Sequence, residues 1–204
     1  DSTQLNKFGA RFKYSKFVKI IDDSHDAITS NITTVKMRRD LQAFLNQFVE
    51  YTLGYGNRIH IKSEIGFNIK TSGFTVSGIS GIVFMSDVPN PDLVTGTIFL
   101  FKLKSPNEPV IVKRNIGTIN YNTGLIKLNP LNIIATEVNR GTSLIEVEAC
   151  PFSNDVLGLR DLYLQMDTNY LNVNMVPDQV SSGSDISGGS YTVTSSYSNG
   201  SLTR

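Results

Sequence analysis

The sequence predicts an α+β fold that is predominantly β, with mainly antiparallel sheets and few short helices. Three observations predict it. Apolar and polar residues alternate along short runs, most clearly in Ser143-Leu-Ile-Glu-Val-Glu-Ala149, where Ile145, Val147 and Ala149 point one way and Glu146 and Glu148 the other. From 66 to 148 glycines punctuate the chain at strand-like intervals, as at Gly66, Gly73, Gly78 and Gly81. Asn, Ser, Thr and Gly are abundant, and these residues suit turns and strand surfaces more than helix interiors.

Taken in order, Lys13-Tyr-Ser-Lys-Phe-Val-Lys-Ile-Ile21 reads as a short strand or one helical stretch, and Asp22-Asp-Ser-His-Asp26 as a polar loop. In Ile32–Arg39, Val35 and Met37 alternate with Thr34, Lys36 and Arg38, which predicts a half-buried strand with a basic outer face. Leu41, Phe44, Leu45, Phe48 and Val49 have helical spacing, while Val49, Tyr51, Leu53 and Tyr55 have strand spacing. The expectation is a helical turn or loop and then a strand ending at Gly56-Asn57.

Phe67/Ile69 and Phe74/Val76 alternate, and Ile82–Met85 reads as a short buried strand. Asp87-Val-Pro-Asn-Pro-Asp92 reads as a turn-rich loop, since each proline removes a ladder donor. Thr97–Leu103 and Pro109–Lys113 are apolar strands. Ile116–Tyr121 and Leu125–Leu128 flank Asn122-Thr-Gly124, which predicts a hairpin with a positive-φ glycine. Leu157, Leu159, Leu162, Leu164 and Met166 fit no single period, and 181–190 is a Ser/Gly-rich tail. The expected organisation is an α+β segment over 1–57, a β-rich domain over 58–150, and a segment over 151–204 whose tail packs back on the first part.

Of the 204 residues, 40% are hydrophobic and 18% charged, with a formal net charge of +1. That balance gives no electrostatic reason to expect nucleic acid or an anionic membrane as partner. The single cysteine, Cys150, excludes an internal disulfide and is expected to be a buried, inert thiol. No apolar run approaches the roughly 20 residues of a membrane span. The start at Asp1-Ser-Thr-Gln leads us to expect further sequence upstream.

Little in the sequence carries chemistry. Asp22–Asp26 gathers three carboxylates and His25, but a calcium loop needs alternating ligands with a Gly and a distal Glu, and zinc needs more soft ligands than His25, His60 and Cys150 supply. Glu146 and Glu148 share a strand face, the arrangement of a solvated sheet more than of a glycosidase cleft. Arg11, Lys13, Lys16, Lys19 and Lys36–Arg39 interleave with Phe8, Phe12, Tyr14 and Phe17. That mix can stack on single-stranded nucleic acid, but alternating aromatics are better read as core with lysines as their solvated counterparts. No catalytic, metal or cofactor residue is predicted.

Ile28-Thr-Ser-Asn-Ile-Thr-Thr-Val-Lys-Met-Arg-Arg39 carries a resemblance, with Lys7–Ser15, Tyr55–Asn57, Asn120–Ile126, Pro151–Val156 and Thr194–Gly200 in the same order. Together these strings resemble the C-terminal region of the baseplate wedge protein of T-even-type contractile-tailed bacteriophages and related cyanophages. Residues 58–114 carry least of the likeness. The resemblance implies a non-enzymatic virion protein without cofactor that dimerises and links wedges into a ring around the tail hub. It also implies binding to other wedge proteins, rearrangement on infection, and residence in the tail baseplate after assembly in the host cytoplasm. Within that reading, Leu171-Asn-Val-Asn-Met-Val176 alternates apolar and polar residues beside Pro177, and Leu171, Val173, Met175 and Val176 are the candidate self-association residues. An ordinary edge strand of the core is the competing reading. The alternative function is a carbohydrate-binding β-domain of a fibre or adhesin, in which Tyr51, Tyr55 and Asn57 would meet the sugar.

Overall fold

A computed structural model describes residues 5, 7–61, 66–105, 108–159 and 164–177, and the backbone of four two-residue strands between 179 and 202. In chain order the elements are β1 (Arg11–Phe12), α1 (Tyr14–Asp22), β2 (Met37–Gln42), β3 (Phe48–Gly54), β4 (Ile69–Thr71), β5 (Phe74–Val76), β6 (Phe84–Pro89), β7 (Thr95–Ser105), β8 (Glu108–Asn120), β9 (Leu125–Thr136), β10 (Val138–Asn139), β11 (Ser143–Ala149) and β12 (Val156–Leu157). All the strand pairs are antiparallel among the described residues, so the predicted class, mostly antiparallel β with little helix, holds. No described helix is long and apolar enough to cross a membrane.

Contacts divide the chain into two compact units, Asp1–Val18 with Ile32–Gln165, and Lys19–Asn31 with Met166–Arg204. In the second, Gln179–Val180 pairs with Tyr191–Thr192, and Tyr197–Ser198 with Ser201–Leu202.

The first unit holds two sheets. The larger runs β3-β9-β8-β7-β6, with β5 also paired to β9; the smaller runs β10-β11-β2, with β4 also paired to β11. Strand period two sorts the side chains into rows. One row of the larger sheet reads Asp87, Ile98, Gly117, Leu128, Tyr51, and the next on the same face Pro89, Gly96, Ile119, Ile126, Leu53. These rows are buried. They share one hydrophobic core with Met37, Leu41, Ile145, Val147 and Ala149 of the smaller sheet. The row between them, Val88, Thr97, Thr118, Lys127, Thr52, meets solvent to varying degrees.

The β8–β9 hairpin forms as its sequence predicts. Gly124 has φ +67°, its N–H donates to the Asn120 carbonyl at 2.9 Å, and Asn120 Oδ1 accepts from the Asn122 and Thr123 amides at 3.0 and 3.1 Å. Lys13–Ile21 resolves as helix: α1 is amphipathic, and the N–H of its first residue, Tyr14, donates to Asp155 at 2.9 Å. That bond and then Arg11, whose guanidinium reaches Asp155 at 2.9 Å, hold the Asp155 carboxyl below its ordinary range.

Two expectations are corrected, and one open alternative is resolved. The strand expected within 32–39 begins only at Met37 and runs to Gln42. The open alternative of helical turn or loop before β3 resolves as loop at 43–47. Asn46 adopts φ +59° and Phe44 and Phe48 stay exposed, because Tyr51, Leu53 and Tyr55 bury themselves at strand spacing. Residues 87–89 are strand and not loop: β6 extends to Pro89, a tolerated place for proline at a strand end, and the turn starts at Asn90.

The reason β6 continues is Asp87, which is fully buried. Its Oδ1 accepts the amides of Asn68 and Ile69, each at 2.8 Å; its Oδ2 accepts the Asn68 side-chain amide at 2.8 Å and the Tyr121 hydroxyl at 2.5 Å. Its carbonyl accepts the Phe67 amide at 2.9 Å. Two glycines make room. Gly66 has φ +100°, and a β-carbon there would lie 2.0 Å from the Asp87 carbonyl oxygen. A β-carbon on Gly96 would lie 2.4 Å from the Tyr121 hydroxyl. The positive φ of Phe67, +71°, turns the following amides toward the carboxylate.

Asp87→Ala leaves these buried donors without an acceptor, so it is expected to destabilise the fold by about 3 kcal/mol or more, read from urea unfolding. Alkaline pH gives a second test. Burial raises the phenol pKa of both Tyr55 and Tyr121 far above the ordinary 10.0, and the Asp87 charge adds to the effect at Tyr121. Above that value the unfolded chain loses protons that the fold retains, so stability falls as pH rises. The expected slope between about pH 10 and 11 is up to about 1.4 kcal/mol per pH unit for each tyrosine, and it flattens in Tyr55→Phe and in Tyr121→Phe.

Candidate functional site

In the second unit, Asp167 caps the 3-10 turn Thr168–Tyr170, accepting the Asn169 amide at 3.1 Å. Leu171 then leaves the turn extended, at φ −74° and ψ +118°, and donates its N–H to Thr168. Residues 171–177 join no strand, and beyond Leu171 no backbone group up to Pro177 has a hydrogen-bond partner among the described residues. The four predicted residues therefore lie on one ribbon of chain outside every strand of the described residues. Leu171 is 55% exposed, Val173 74%, Met175 86% and Val176 76%. Met166 and Tyr170, just upstream, are exposed as well. Runs of this kind are rare on free surfaces. The tail 181–190 lies outside the described residues.

The other residues searched for chemistry have structural duties. Asp22 accepts the Asn31 side-chain amide, and His25 Nδ1 accepts the Ala27 amide at 3.0 Å, within an exposed loop. Among the described residues no three His, Cys, Asp or Glu side chains stand together as a metal site. Phe12 packs on Phe17 at 5.6 Å between ring centres, and Tyr14 donates its hydroxyl to the Thr33 carbonyl at 3.0 Å. The carbohydrate alternative loses its aromatic platform: Tyr51 and Tyr55 are core residues, the Tyr55 hydroxyl donating to the Val147 carbonyl at 2.7 Å. Asn57 is occupied by the backbone of Tyr55 and Leu157. Cys150 is half-buried at the end of β11, not fully enclosed.

Glu146 and Glu148 do not form a simple solvated face. Glu146 is 7% exposed and accepts from Arg140 at 2.7 Å, with Arg38 at 3.6 Å. Arg38 reaches Asp40 at 3.1 Å, Arg140 reaches Asp40 at 3.8 Å, and Lys36 reaches Glu148 at 3.1 Å. Register explains the meeting: Glu146 lies opposite Asp40 and Glu148 opposite Arg38 on the outer face of β11 and β2. Arg39, one residue out of phase, turns inward beside Val147 and donates to the Gly54 carbonyl at 2.5 Å. The basic run at 36–39 is thus spent on carboxylates and one carbonyl. The alternation of Lys36, Arg38 and Asp40 on one face held the signal, but the partner Arg140 lies a hundred residues away in sequence.

The geometry defines a class first: a mainly antiparallel β protein, with its charges locked in a lattice and an apolar ribbon displayed. The particular likeness comes from comparison with known families. The family described as baseplate structural protein gp6, C-terminal domain III, matches residues 1–40, which contain Lys7–Ser15 and Ile28–Arg39. The match is short, ending inside β2, and it supports a structural protein of the phage tail baseplate, resembling the C-terminal region of a wedge protein. No curated protein matches the chain.

The lattice carries its own test. A double-mutant cycle on Arg140→Ala and Glu146→Ala is expected to give a coupling of about 1 kcal/mol, modest because the arginine is partly exposed. Urea unfolding of the two single variants and the double variant measures it.

Proposed function

We propose that this chain is a non-enzymatic wedge subunit of a contractile phage tail baseplate, and that it self-associates through the ribbon Leu171–Val176. The observation that carries the reading is the exposure of Leu171, Val173, Met175 and Val176 on a segment that joins no strand and, beyond Leu171, has no backbone hydrogen bond among the described residues. Exposed apolar side chains on an extended, unpaired segment are what a second chain can cover, by packing and by supplying the missing main-chain bonds. The match of residues 1–40 to a baseplate structural family supports the setting.

In this reading the ribbon contributes to dimers that link wedges into a ring around the tail hub. Other wedge proteins are the remaining partners, and the ring rearranges on infection. The protein resides in the virion baseplate and assembles in the host cytoplasm. A closed ring needs complementary surfaces repeated on every copy, and a short displayed ribbon meets that need without enlarging the core.

Sedimentation tests the assignment. The unmodified chain is expected to sediment as a dimer at micromolar concentration. Val173→Asp and Met175→Asp should each weaken the association at least about tenfold, since each would bury a charge in the contact. Their circular dichroism should match that of the parent. A parent that is strictly monomeric, or a dimer mass unchanged in both variants, overturns the assignment. Unfolding of both variants would overturn it in favour of a core strand.

A further inference from the structure

On the outer face of the smaller sheet, Arg38, Glu148 and Lys70 occupy one row across β2, β11 and β4. Among the described residues this face carries four cations, Lys36, Arg38, Lys70 and Arg140, and three carboxylates, Asp40, Glu146 and Glu148. Each carboxylate has a cation within 3.8 Å. Lys36 takes Glu148; Arg38 and Arg140 share Asp40 and Glu146. Lys70, although opposite Glu148 in register, has no ion pair among the described residues. The lattice is short by one negative charge.

The gap opens into a cavity of about 360 Å³ whose lining includes Lys36, Lys70, Glu148, Thr34, His60 and Cys150. It lies wholly in the first unit. Thr34 and His60 bring further hydrogen-bonding side chains to the space beside the two lysines. We propose that this cavity is a socket for a single carboxylate, presented by an aspartate or glutamate side chain of a partner protein. One charge is what the lattice lacks. A phosphate dianion would overcompensate Lys70 and meet Glu148 in the same cavity, and like charges held that close repel. The volume exceeds that of a carboxylate and leaves space for the methylene stem of an acidic side chain. The socket depends on strand register in the first unit and is independent of the ribbon.

The test is a titration of the full isotope-labelled chain followed by amide NMR. Two probes are used: the α-amide of N-acetylglutamate, which carries one carboxylate, and inorganic phosphate. The monocarboxylate is expected to shift the amides of Lys36, Lys70, Glu148 and Cys150 saturably, and to slow alkylation of Cys150. Phosphate should bind at least about fivefold more weakly. Lys70→Gln should weaken the monocarboxylate about tenfold, the scale of one charge-assisted hydrogen bond, with the rest of the spectrum unchanged. The proposal is overturned by shifts that do not saturate, by equal binding in Lys70→Gln, or by tighter binding of phosphate. Should Lys70→Gln perturb the spectrum broadly, Lys70→Arg decides: it keeps the charge and must keep the binding, and its loss there overturns the proposal.

Discussion

The carboxylate of Asp87 sits where β4 of the smaller sheet meets β6 of the larger one, and the junction of the two sheets depends on it. No ordinary ladder joins these strands. In its place, three consecutive amides, of Phe67, Asn68 and Ile69, point at one residue, and Tyr121 arrives from the β8–β9 turn. Neighbouring bonds continue the seam: Ser86 donates its hydroxyl to the Ile69 carbonyl at 2.8 Å, and the Met85 amide donates to Thr71 at 2.9 Å. A buried carboxylate is tolerable only when its lone pairs are filled, and here four donors fill them. The same need fixes distant sequence choices. Gly66 must have no side chain, Gly96 must leave Tyr121 a path, and Phe67 must accept a left-handed backbone.

Most of the strands were legible because their signal is local. Alternation at 143–149 and the Asn122-Thr-Gly124 connection report on residues that are neighbours in sequence, and both appear where expected. Asp87 was not legible for the opposite reason. Followed by Pro89 and Pro91, it carries the local chemistry of a turn, and only partners 19 and 34 residues away convert it into a strand residue. The helical spacing of 41–49 resolved as loop for a related reason: spacing is a weak signal where the following segment can bury Tyr51, Leu53 and Tyr55 at strand period.

The two surfaces that could hold partners differ in how sequence reveals them. The ribbon is written out in order, Leu171 to Val176, so its pattern is visible directly; what sequence leaves open is whether a core strand covers it, and the structure leaves it uncovered. The charge lattice is distributed over residues 36–40, 70 and 140–148 and becomes a unit only through strand register. Exposed alone, each ion pair is worth little. Joined around a buried Glu146, they fix which side chains can face one another, so a departure from neutrality at Lys70 has one location and one sign.

The ribbon also has to be reconciled with survival of the free chain. From Thr168 to Pro177 no residue is charged, and the four large apolar side chains of the ribbon are more than half exposed. An uncharged segment with exposed apolar side chains and unpaired backbone groups is a template for indefinite pairing. Three sequence features limit it. Asn172 and Asn174 interrupt the apolar run, Pro177 withholds the next backbone donor, and Asp167 and Asp178 place a negative charge at either end. Such gatekeepers raise the cost of stacking many identical strands, because the acidic ends would repeat at every layer. In the proposed self-association they leave a single pairing permitted, since one partner covers the apolar side once. In the proposed self-association, a segment bounded in this way favours a single pairing over indefinite stacking, while closure of a ring is set by the rotation that relates the copies.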